Sequence, residues 1–335
     1  MRNLFIFYLL ILMYNPLSAQ PSKTFTNPLL KDGADPWTIF RDGYYYYIHT
    51  EREKLSIRKT KDLAELSTAQ VKTIWMPPST GPNSALIWAP ELHFLDGKWY
   101  VYYTATDKNN SSDLNRFVFV LENSSSDPMK GEWVDKGRLN TKYSGLDGSV
   151  FEHGGKRYFL YSGYVGPQSN LFICGMSNPW TLTEEQVQIA SPTKYWEKFG
   201  NREILEGPQF LQGKKGNLLI VYSASACWAD EYALGMLEAD GNSNLMDAGS
   251  WKKHEHPVFK QSPANGVYAP GHNSFFKSPD GTEDWILYHA TSAPNQQCRN
   301  RSPRMQRFTW KSDGTPDFGE PAKAGVLIPA PSDSK

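Results

Sequence analysis

The sequence predicts an all-β fold, a five-bladed β-propeller that forms a single domain. A phrase recurs five times along the chain: a short opening motif, an apolar segment, a turn, and a strand rich in Tyr, Phe, Trp and Ile. Successive openings lie 55, 57, 59 and 65 residues apart. A repeat of this kind is typical of propeller blades, because one four-stranded sheet cannot bury both of its faces alone. No long amphipathic helical pattern interrupts the repeats.

Each repeat predicts a β-hairpin, since a turn formed mostly by Asp-Gly or Gly-Gly separates its two apolar segments. In chain order the repeats read ADPWTIFRDGYYYYIHT, APELHFLDGKWYVYYTAT, LDGSVFEHGGKRYFLYSG, LEGPQFLQGKKGNLLIVYSAS and APGHNSFFKSPDGTEDWILYHAT. The clearest strands are predicted over residues 44–49, 99–104, 158–162, 218–223 and 285–289. Outer strands follow, for example at 55–60 and 117–122, and residues 311–335 predict a closing strand and a tail.

Composition excludes several classes of partner. Lys plus Arg and Asp plus Glu are equal at 35 each, so the chain lacks the basic footprint that nucleic acids or anionic membranes require. Aromatic residues make up 14% of the 335 residues, with 11 Trp and 18 Tyr, which fits stacking on neutral sugars as well as packing between blades. We therefore expect an oligo- or polysaccharide substrate, while protein partners stay unknown.

The first residues, MRNLFIFYLLILMYNPLSAQ, predict a secretory signal peptide over residues 1–19. The apolar run is too short for a membrane span, and no Cys follows it for a lipid anchor. We expect residues 20–335 to form the propeller domain, exported to a bacterial periplasm or outside the cell. At such an address the three cysteines, Cys174, Cys227 and Cys298, leave at least one unpaired, and a bridge between Cys227 and Cys298 is one open alternative.

Carboxylates open three of the five repeats: Asp35 in ADPW, Asp147 in LDGSVF and Glu206 in LEGPQF. The first strand of each blade lines the central channel of a propeller, so these side chains should converge at one mouth of the channel. Cleavage of a glycosidic bond needs a carboxylate base and a carboxylic acid, and a third carboxylate near the acid would raise the pKa of the acid. Asp-Pro and Asp-Gly are also ordinary turn formers, but three at equivalent positions favour a catalytic site.

Over residues 25–322 the chain resembles glycoside hydrolase family 43, a group of five-bladed propeller enzymes that act mainly on arabinose- and xylose-containing glycans. The resemblance is carried by ADPW, WAPE, LDGSVF, EGP, APGHNSFF and RSPRMQRFTW. It implies Asp35 as general base, Glu206 as general acid, and Asp147 as the residue that raises the pKa of the acid and orients it. The Arg-Asp-Pro and Glu-Cys motifs of the related retaining enzymes are absent from the sequence, which favours inversion. Inversion predicts that the Asp35 and Glu206 carboxyl groups stand roughly 6.5–9.5 Å apart.

The resemblance also implies further site residues. His272 corresponds to a channel-facing His that often coordinates a central ion, usually calcium, through waters; a hydrogen-bonded structural His is the alternative. No cofactor is expected to be required. Arg301 resembles the Arg of the closing blade that reaches the base and the sugar, and Arg304 is its competitor, because only one of the two can face inward. The aromatic residues Trp88, Trp37, Phe151 and Trp228 are candidate walls of the sugar pocket, with Trp88 ranked first.

The phrases WAPELHF, NGVYAPGHNSFFKSPDGTEDWILYHA and RSPRMQRF look most like the arabinofuranosidase branch of this family. The resemblance therefore implies a secreted, inverting, exo-acting α-L-arabinofuranosidase that takes part in polysaccharide degradation. Within the same fold the alternatives are a β-xylosidase, an endo-arabinanase or a galactofuranosidase. A sugar-binding propeller without catalysis is the alternative from another class.

Overall fold

The computed structural model describes residues 23–333, so the predicted signal peptide lies outside the described residues. The described chain forms five four-stranded antiparallel sheets and one two-stranded sheet, which confirms the five-bladed propeller. Each sheet is a blade built from four consecutive strands, and its first strand is the innermost. Within residues 23–333 the helices are five short 3₁₀ turns: Leu63–Thr68, Asp113–Asn115, Tyr195–Glu197, Ala248–Ser250 and Pro263–Asn265.

The blades follow chain order without strand exchange. Blade 1 contains β2 (Ala34–Arg41), β3 (Tyr44–Thr50), β4 (Leu55–Thr60) and β5 (Gln70–Trp75). Blade 2 contains β6 (Ala85–Leu95), β7 (Lys98–Thr106), β8 (Phe117–Asn123) and β9 (Val134–Arg138). Blade 3 contains β10 (Gly145–His153), β11 (Lys156–Val165), β12 (Gln168–Asn178) and β13 (Thr181–Ala190). Blade 4 contains β14 (Leu205–Gln212), β15 (Leu218–Ala224), β16 (Ala233–Ala239) and β17 (Lys252–Lys253). Blade 5 contains β18 (Tyr268–Lys277), β19 (Asp284–Thr291), β20 (Ser302–Trp310) and β21 (Pro316–Asp317).

Every interface between neighbouring blades contains its own hydrophobic cluster. The second strand of a blade supplies two clusters, because alternate side chains of a strand point to opposite faces. In β3, Tyr46 and Ile48 pack towards blade 2, whereas Tyr45 and Tyr47 pack towards blade 5. Burial on both faces explains why these strands read as nearly continuous aromatic runs. The aromatic richness of the sequence therefore arises largely from packing between blades.

The inner strands share an irregularity at the end where they begin. A β-bulge interrupts the pairing of each of them with the next strand. At corresponding bulges the five inner strands each have a residue with a positive φ: Asp35 (56°), Ala89 (43°), Asp147 (57°), Gly207 (55°) and His272 (48°). Four of these five are not glycine, and for each of the four the left-handed conformation costs about 1 to 2 kcal/mol. Strain of this kind concentrates at functional sites.

The backbone N–H of each left-handed residue binds a side chain, and four of the five acceptors lie on the second strand of the preceding blade. Ala89 donates to Thr50 Oγ1 (2.7 Å), Asp147 to Thr104 Oγ1 (3.0 Å) and His272 to Ser223 Oγ (2.7 Å). Asp35 closes the ring by donating to His289 Nδ1 (3.1 Å). We call these contacts the inter-blade latches; they fix the strand ends that carry the site.

The ring is closed by the segment before blade 1, which runs along blade 5. Strand β1 (Thr24–Phe25) pairs with β22 (Ile328–Pro329). The buried side chain of Asn27 forms two hydrogen bonds with the backbone of Met305, one to the carbonyl (2.9 Å) and one from the N–H (3.0 Å). Leu29 N–H donates to the Pro303 carbonyl at 2.8 Å. We call this junction between blades 5 and 1 the seam. It is held by hydrogen bonds from the segment before blade 1 to the backbone of blade 5, and no blade combines strands from both ends of the described chain.

Among the helices of residues 23–333, none has the length and apolar character that a membrane crossing requires.

Candidate active site

A cavity of about 430 Å³ lies where the inner strands begin, and all five blades contribute to its lining. Its floor contains the three carboxylates predicted from the sequence, together with His272 and Arg301. The rest of the lining is Arg52, Trp88, Asp113, Arg116, Leu146, Tyr164, Ser169, Arg202, Ile204, Cys227, Trp228 and Cys298. A volume in this range suits a small, largely enclosed ligand.

Asp35, on β2, is buried and held by several partners. Arg301 Nη1 approaches its Oδ1 at 3.0 Å, and the Thr50 hydroxyl donates to Oδ2 at 2.6 Å. Burial alone would raise the pKa of Asp35, but Arg301 and then His272 lower this pKa well below its usual range. Asp35 is therefore ionised at neutral pH, which is the state that a general base needs.

His289 holds the backbone of Asp35 rather than forming an ion pair with its carboxylate. Its Nδ1 accepts the Asp35 N–H and lies 3.3 Å from Asp35 Oδ1. A ring nitrogen that accepts a hydrogen bond has no proton to donate to the carboxylate. Burial and the nearby Arg301 lower the pKa of His289 to about 4, which agrees with a neutral ring.

Asp147, on β10, reaches the neighbour of the predicted acid. Its Oδ2 accepts the N–H of Gly207 at 2.9 Å, so it takes the place that a hydroxyl occupies in three of the other inter-blade latches and His289 in the fourth. Burial raises the pKa of Asp147 to about 8; His272 opposes this rise, while the charges of Glu206 and Asp35 reinforce it. The side chain therefore orients the Glu206–Gly207 turn and shares a site with a second carboxyl group.

Glu206, on β14, lines the cavity and has one oxygen engaged from behind. Tyr232 donates its hydroxyl to Glu206 Oε1 at 2.6 Å. Burial raises the pKa of Glu206, and the hydrogen bond from Tyr232 partly offsets this rise. Because the charge of Glu206 also raises the pKa of Asp147, the two carboxyl groups interact, and a proton in this part of the site is shared between them. The site thus combines an ionised carboxylate on blade 1 with a proton-holding pair on blades 3 and 4.

His272, on β18, lies between these two halves. Its Nδ1 is 3.4 Å from Asp35 Oδ1 and 3.9 Å from Asp147 Oδ2. Burial lowers the pKa of His272, but the charges of Asp35, Asp147 and Glu206 raise it overall. A cationic His272 would help to balance the negative charge of the floor.

The part of the chain that the structure describes forms no side-chain cage for the predicted calcium. Within residues 23–333, no group of three or more His, Cys, Asp or Glu side chains is arranged to hold a metal ion. The amide of the fully buried Asn273 has neither its nitrogen nor its oxygen paired with a described residue. That amide fits a water or a hydrated ion in the channel, whereas direct calcium binding uses six to eight oxygens. The calcium stays a prediction.

Two of the four predicted wall residues line the cavity. Trp88 lies under the guanidinium of Arg116, at 4.1 Å from the ring centroid. Trp228 is 37% exposed and is anchored by a hydrogen bond from Nε1 to the Gly200 carbonyl. A disulfide joins Cys227, beside Trp228, to Cys298 on the loop that leads to Arg301. The alternative left open from the sequence is thus present, and Cys174 is the buried free thiol.

The other two predicted wall residues, Trp37 and Phe151, are not among the residues that line the cavity. Trp37 packs on His93 with ring centroids 4.8 Å apart and donates its Nε1 hydrogen to the Leu92 carbonyl. Phe151 is 8% exposed and stacks on Phe210 at 4.2 Å between blades 3 and 4. Both follow the bulge on an inner strand, where side chains point into the interfaces between blades rather than to the cavity.

The choice between the two arginines has a structural answer. Arg301 lines the cavity and contacts Asp35, as described above. Arg304 is fully buried within blade 5 and contacts Ser292 Oγ at 2.7 Å through its Nη2. Arg301 is therefore the inward-facing arginine.

Sequence reasoning missed the residues behind the carboxylates. Thr50, Thr104, Ser223 and His289 are the latch acceptors, and a signal for them existed. Each is a polar residue near the end of a strand that is otherwise dense in apolar side chains, and it recurs at one place in the repeat. Tyr232 had no such signal, because it lies in a loop of blade 4 and the other repeats offer no counterpart in sequence.

Comparison with known proteins agrees with this geometry. The model of the family described as glycosyl hydrolases family 43 matches residues 25–316. An extracellular exo-α-(1→5)-L-arabinofuranosidase of Streptomyces avermitilis is 42% identical over 92% of this chain and 66% of its own length. A protein of the same name from Streptomyces chartreusis is 41% identical over 79% of this chain and 82% of its own length.

The α-L-arabinofuranosidase 43 of Humicola insolens is 34% identical over 92% of this chain, and the match again covers 66% of the relative. The chain thus spans just under two thirds of the length of the first and third of these relatives. Among solved structures, an α-L-arabinofuranosidase from Lactobacillus brevis superposes with a TM-score of 0.84 at 35% identity, covering 90% of this chain and 98% of that one.

Proposed function

The chain belongs to glycosyl hydrolase family 43, and from that membership we propose that it is an inverting, exo-acting α-L-arabinofuranosidase. The observation that carries the proposal is the opposed protonation of the floor: the pKa of Asp35 is lowered, while the pKa values of Glu206 and Asp147 are raised. An inverting glycosidase needs this pairing of an ionised base with a protonated acid.

The mechanism follows from the two carboxyl groups. Asp35 takes a proton from a water molecule as the oxygen of that water forms a bond to the anomeric carbon. Glu206 gives its proton to the glycosidic oxygen as the bond from that oxygen to the anomeric carbon breaks. The water attacks the face opposite the leaving group, so the α-linked sugar leaves as the β anomer. Asp147 keeps a proton available to Glu206 and holds the adjacent Gly207, and Arg301 keeps Asp35 ionised.

Exo action is supported by the form of the site. The carboxylates lie at the bottom of a cavity, and Trp88, Trp228 and the arginines of the lining stand around it. A cavity with its reactive groups at the closed end accepts a chain end, with the following sugars towards the rim. The names of the relatives support arabinose as the terminal sugar, because four matched proteins at 34% to 42% identity are named arabinofuranosidases.

We also propose that the protein is exported. A disulfide between Cys227 and Cys298 is stable in an oxidising compartment, and two of the relatives are named extracellular. The signal-peptide prediction for residues 1–19 points to the same address.

The test is hydrolysis of p-nitrophenyl α-L-arabinofuranoside and p-nitrophenyl β-D-xyloside by the wild type and Glu206→Ala, with the released anomer followed by NMR. We expect β-arabinose as the first product, only arabinose from linear α-1,5-arabino-oligosaccharides, and a loss of about 10²-fold or more in Glu206→Ala with poor leaving groups. Release of xylose alone would favour a β-xylosidase, and longer products an endo-arabinanase. An α anomer would contradict the role of Asp35, and sugar binding without cleavage would leave a binding protein.

A further inference from the structure

Tyr232 lies behind Glu206 and has no access to the sugar. It directly precedes β16, its side chain is fully buried, and it does not contribute to the lining of the cavity. Its hydroxyl donates to Glu206 Oε1 at 2.6 Å. Burial and the adjacent Glu206 raise the pKa of Tyr232 well above its usual range, so the phenol keeps the proton that it donates.

This hydrogen bond has a consequence for the acid. A protonated carboxyl group has one oxygen that carries the proton and one that is the better acceptor. Because Tyr232 donates to Oε1, it favours Oε1 as the acceptor and therefore Oε2 as the oxygen that carries the proton. Only a proton on the oxygen that faces the cavity can reach the glycosidic oxygen of the substrate.

The ring of Tyr232 is held tightly in place. It stacks on His289, with centroids 5.9 Å apart and an angle of 9° between the planes. His289 in turn stacks on His272 at 6.0 Å and accepts the backbone N–H of Asp35. A Cβ atom on Gly271 would stand 2.1 Å from the Tyr232 ring, so that position requires glycine. Tyr232, His289 and His272 form a stack that connects the acid side of the site to the base side.

We propose that Tyr232 is a positioning residue for the general acid: it places the acidic proton on the Glu206 oxygen that faces the leaving group, and its stacking on His289 ties that oxygen to the latch of Asp35. The inference rests on the proposed function, since it concerns the proton that Glu206 delivers. It predicts a defect in leaving-group protonation and none in sugar binding.

The experiment compares wild type, Tyr232→Phe and Tyr222→Phe on two arabinofuranosides. One is 2,4-dinitrophenyl α-L-arabinofuranoside, whose leaving group departs without a proton; the other is α-1,5-arabinobiose, whose leaving group needs one. For Tyr232→Phe we expect kcat on arabinobiose to fall about 10- to 100-fold, a part of what a complete general acid supplies. We expect kcat on the dinitrophenyl substrate to stay within about threefold, because its leaving group needs no acid. KM should stay within about twofold on both substrates, because the contacts to the sugar are unchanged.

Tyr222→Phe is the matched control. Tyr222, on β15 of the same blade, also donates its hydroxyl to a buried carboxylate, Glu197, at 2.8 Å, but that pair lies outside the cavity. The Tyr222→Phe variant loses the same kind of hydrogen bond as Tyr232→Phe. Because this bond lies away from the cavity, we expect kcat on both substrates to match the wild type. Thermal unfolding of the two variants should show that both are folded.

Equal losses on the two substrates, or a loss expressed in KM, would assign Tyr232 a structural role only and overturn the proposal. An arabinobiose kcat equal to that of the wild type would overturn it as well. These outcomes leave the proposed function intact, because the wild type remains active. A wild type that cleaves no arabinofuranoside overturns the proposed function, and the inference falls with it.

Discussion

Asp147 differs from its counterparts in the other blades by performing two tasks with one side chain. In the matching place on β11, the Ser162 hydroxyl has no hydrogen-bond partner among residues 23–333, and Asp147 accepts the Gly207 N–H instead. The latch of the fourth blade thus carries a carboxyl group next to the acid. A hydroxyl could have held the backbone equally well, but it could neither share a proton with Glu206 nor raise the pKa of Glu206 by its charge.

Asp147→Asn separates these two tasks, because asparagine keeps an acceptor oxygen but has no charge. Loss of the like charge lowers the pKa of Glu206, so the acid loses its proton at a lower pH. We expect the alkaline limb of the kcat/KM profile to move to lower pH, and kcat near neutrality to fall about 10- to 100-fold. The acid limb, which reports Asp35, should stay in place.

The control is Asp113→Asn, which removes a carboxylate of the cavity lining that pairs with Arg116 at 2.7 Å. Its alkaline limb should coincide with that of the wild type, whatever happens to KM. Profiles must start below about pH 4, because the pKa of Asp35 lies under its ordinary value of about 3.9, and extend to about pH 9 to cover both limbs. An unmoved alkaline limb in Asp147→Asn would show that the charge of Asp147 is not felt by the acid.

Arg301 determines, through Asp35, the position of the acid limb of the kcat/KM profile. Its guanidinium lowers the pKa of Asp35, so Arg301→Gln allows Asp35 to become protonated at a higher pH. We expect activity on the acid side to be lost at higher pH than in the wild type. Arg307→Gln replaces an exposed arginine on β20, the strand that follows Arg301, where Arg307 pairs with Glu283; it should leave the acid limb unchanged. Coincident acid limbs in Arg301→Gln and the wild type would exclude this role.

The three carboxylates that sequence reasoning found share one property: they open repeats. Asp35, Asp147 and Glu206 were recognisable because the same phrase brings each to the start of an inner strand. Trp37 and Phe151 were misplaced for a physical reason, since in a propeller the two faces of a strand are buried against two neighbours. An aromatic side chain two to four residues beyond the bulge therefore meets another blade, and its identity alone does not distinguish core from cavity.

At the scale of elements, two loops form one wall of the cavity because a disulfide joins them. The loop between β15 and β16 carries Cys227 and Trp228, and the loop between β19 and β20 carries Cys298. Four residues of the second loop, from Asn295 to Asn300, have positive φ values. A segment with so many left-handed residues has little regular structure to hold it, so the disulfide fixes its position against blade 4.

Replacing both Cys227 and Cys298 by serine should therefore affect stability and substrate binding together. The bridge spans 71 residues, and the chain-entropy model assigns about 4 kcal/mol to a loop of this length. We expect a lower Tm and a KM raised about three- to tenfold, because Trp228 and the approach to Arg301 lose their support. Thermal unfolding and kinetics with and without reductant measure both effects.

The double variant is its own control, since reductant should change the wild type and leave the variant unaffected. If reduced wild type kept its KM while its Tm fell, the bridge would stabilise the fold without shaping the cavity.

The strand pattern of each blade was readable from sequence, whereas the contacts between blades were not. All five predicted second strands coincide with β3, β7, β11, β15 and β19. The hairpin turns were readable because Asp-Gly and Gly-Gly adopt positive φ, as at Asp42 (51°) and Gly43 (77°). The latches join residues that lie about 40 or more positions apart, as from Thr50 to Ala89, and no local pattern encodes such a distance.

At the scale of the whole molecule, the seam between blades 5 and 1 depends on the buried side chain of Asn27. Removing it in Asn27→Ala leaves the N–H and carbonyl of Met305 without their partners. We expect the free energy of unfolding to fall by about 2 to 4 kcal/mol, because each unsatisfied buried group costs about 1 to 3 kcal/mol. Denaturant unfolding measures the loss.

Asn140→Ala offers a matched comparison. Asn140 forms the same pair of hydrogen bonds with the backbone of Leu182, but it is exposed, so water can replace the lost partners. We expect a loss of about 1 kcal/mol or less. Equal losses in the two variants would mean that the seam is no more sensitive than any surface contact.

The same seam makes the order of the blades in the sequence a matter of convention rather than of structure. Thr24–Phe25 and Ile328–Pro329 are paired neighbours, and every blade is complete within its own stretch of chain. A circular permutant that joins these two segments with a short linker and starts in an exposed loop between two other blades would keep all five sheets intact. It would also keep Asp35, Asp147 and Glu206 around one axis. The catalytic centre would therefore stay intact although its residues would occur in a different order along the chain.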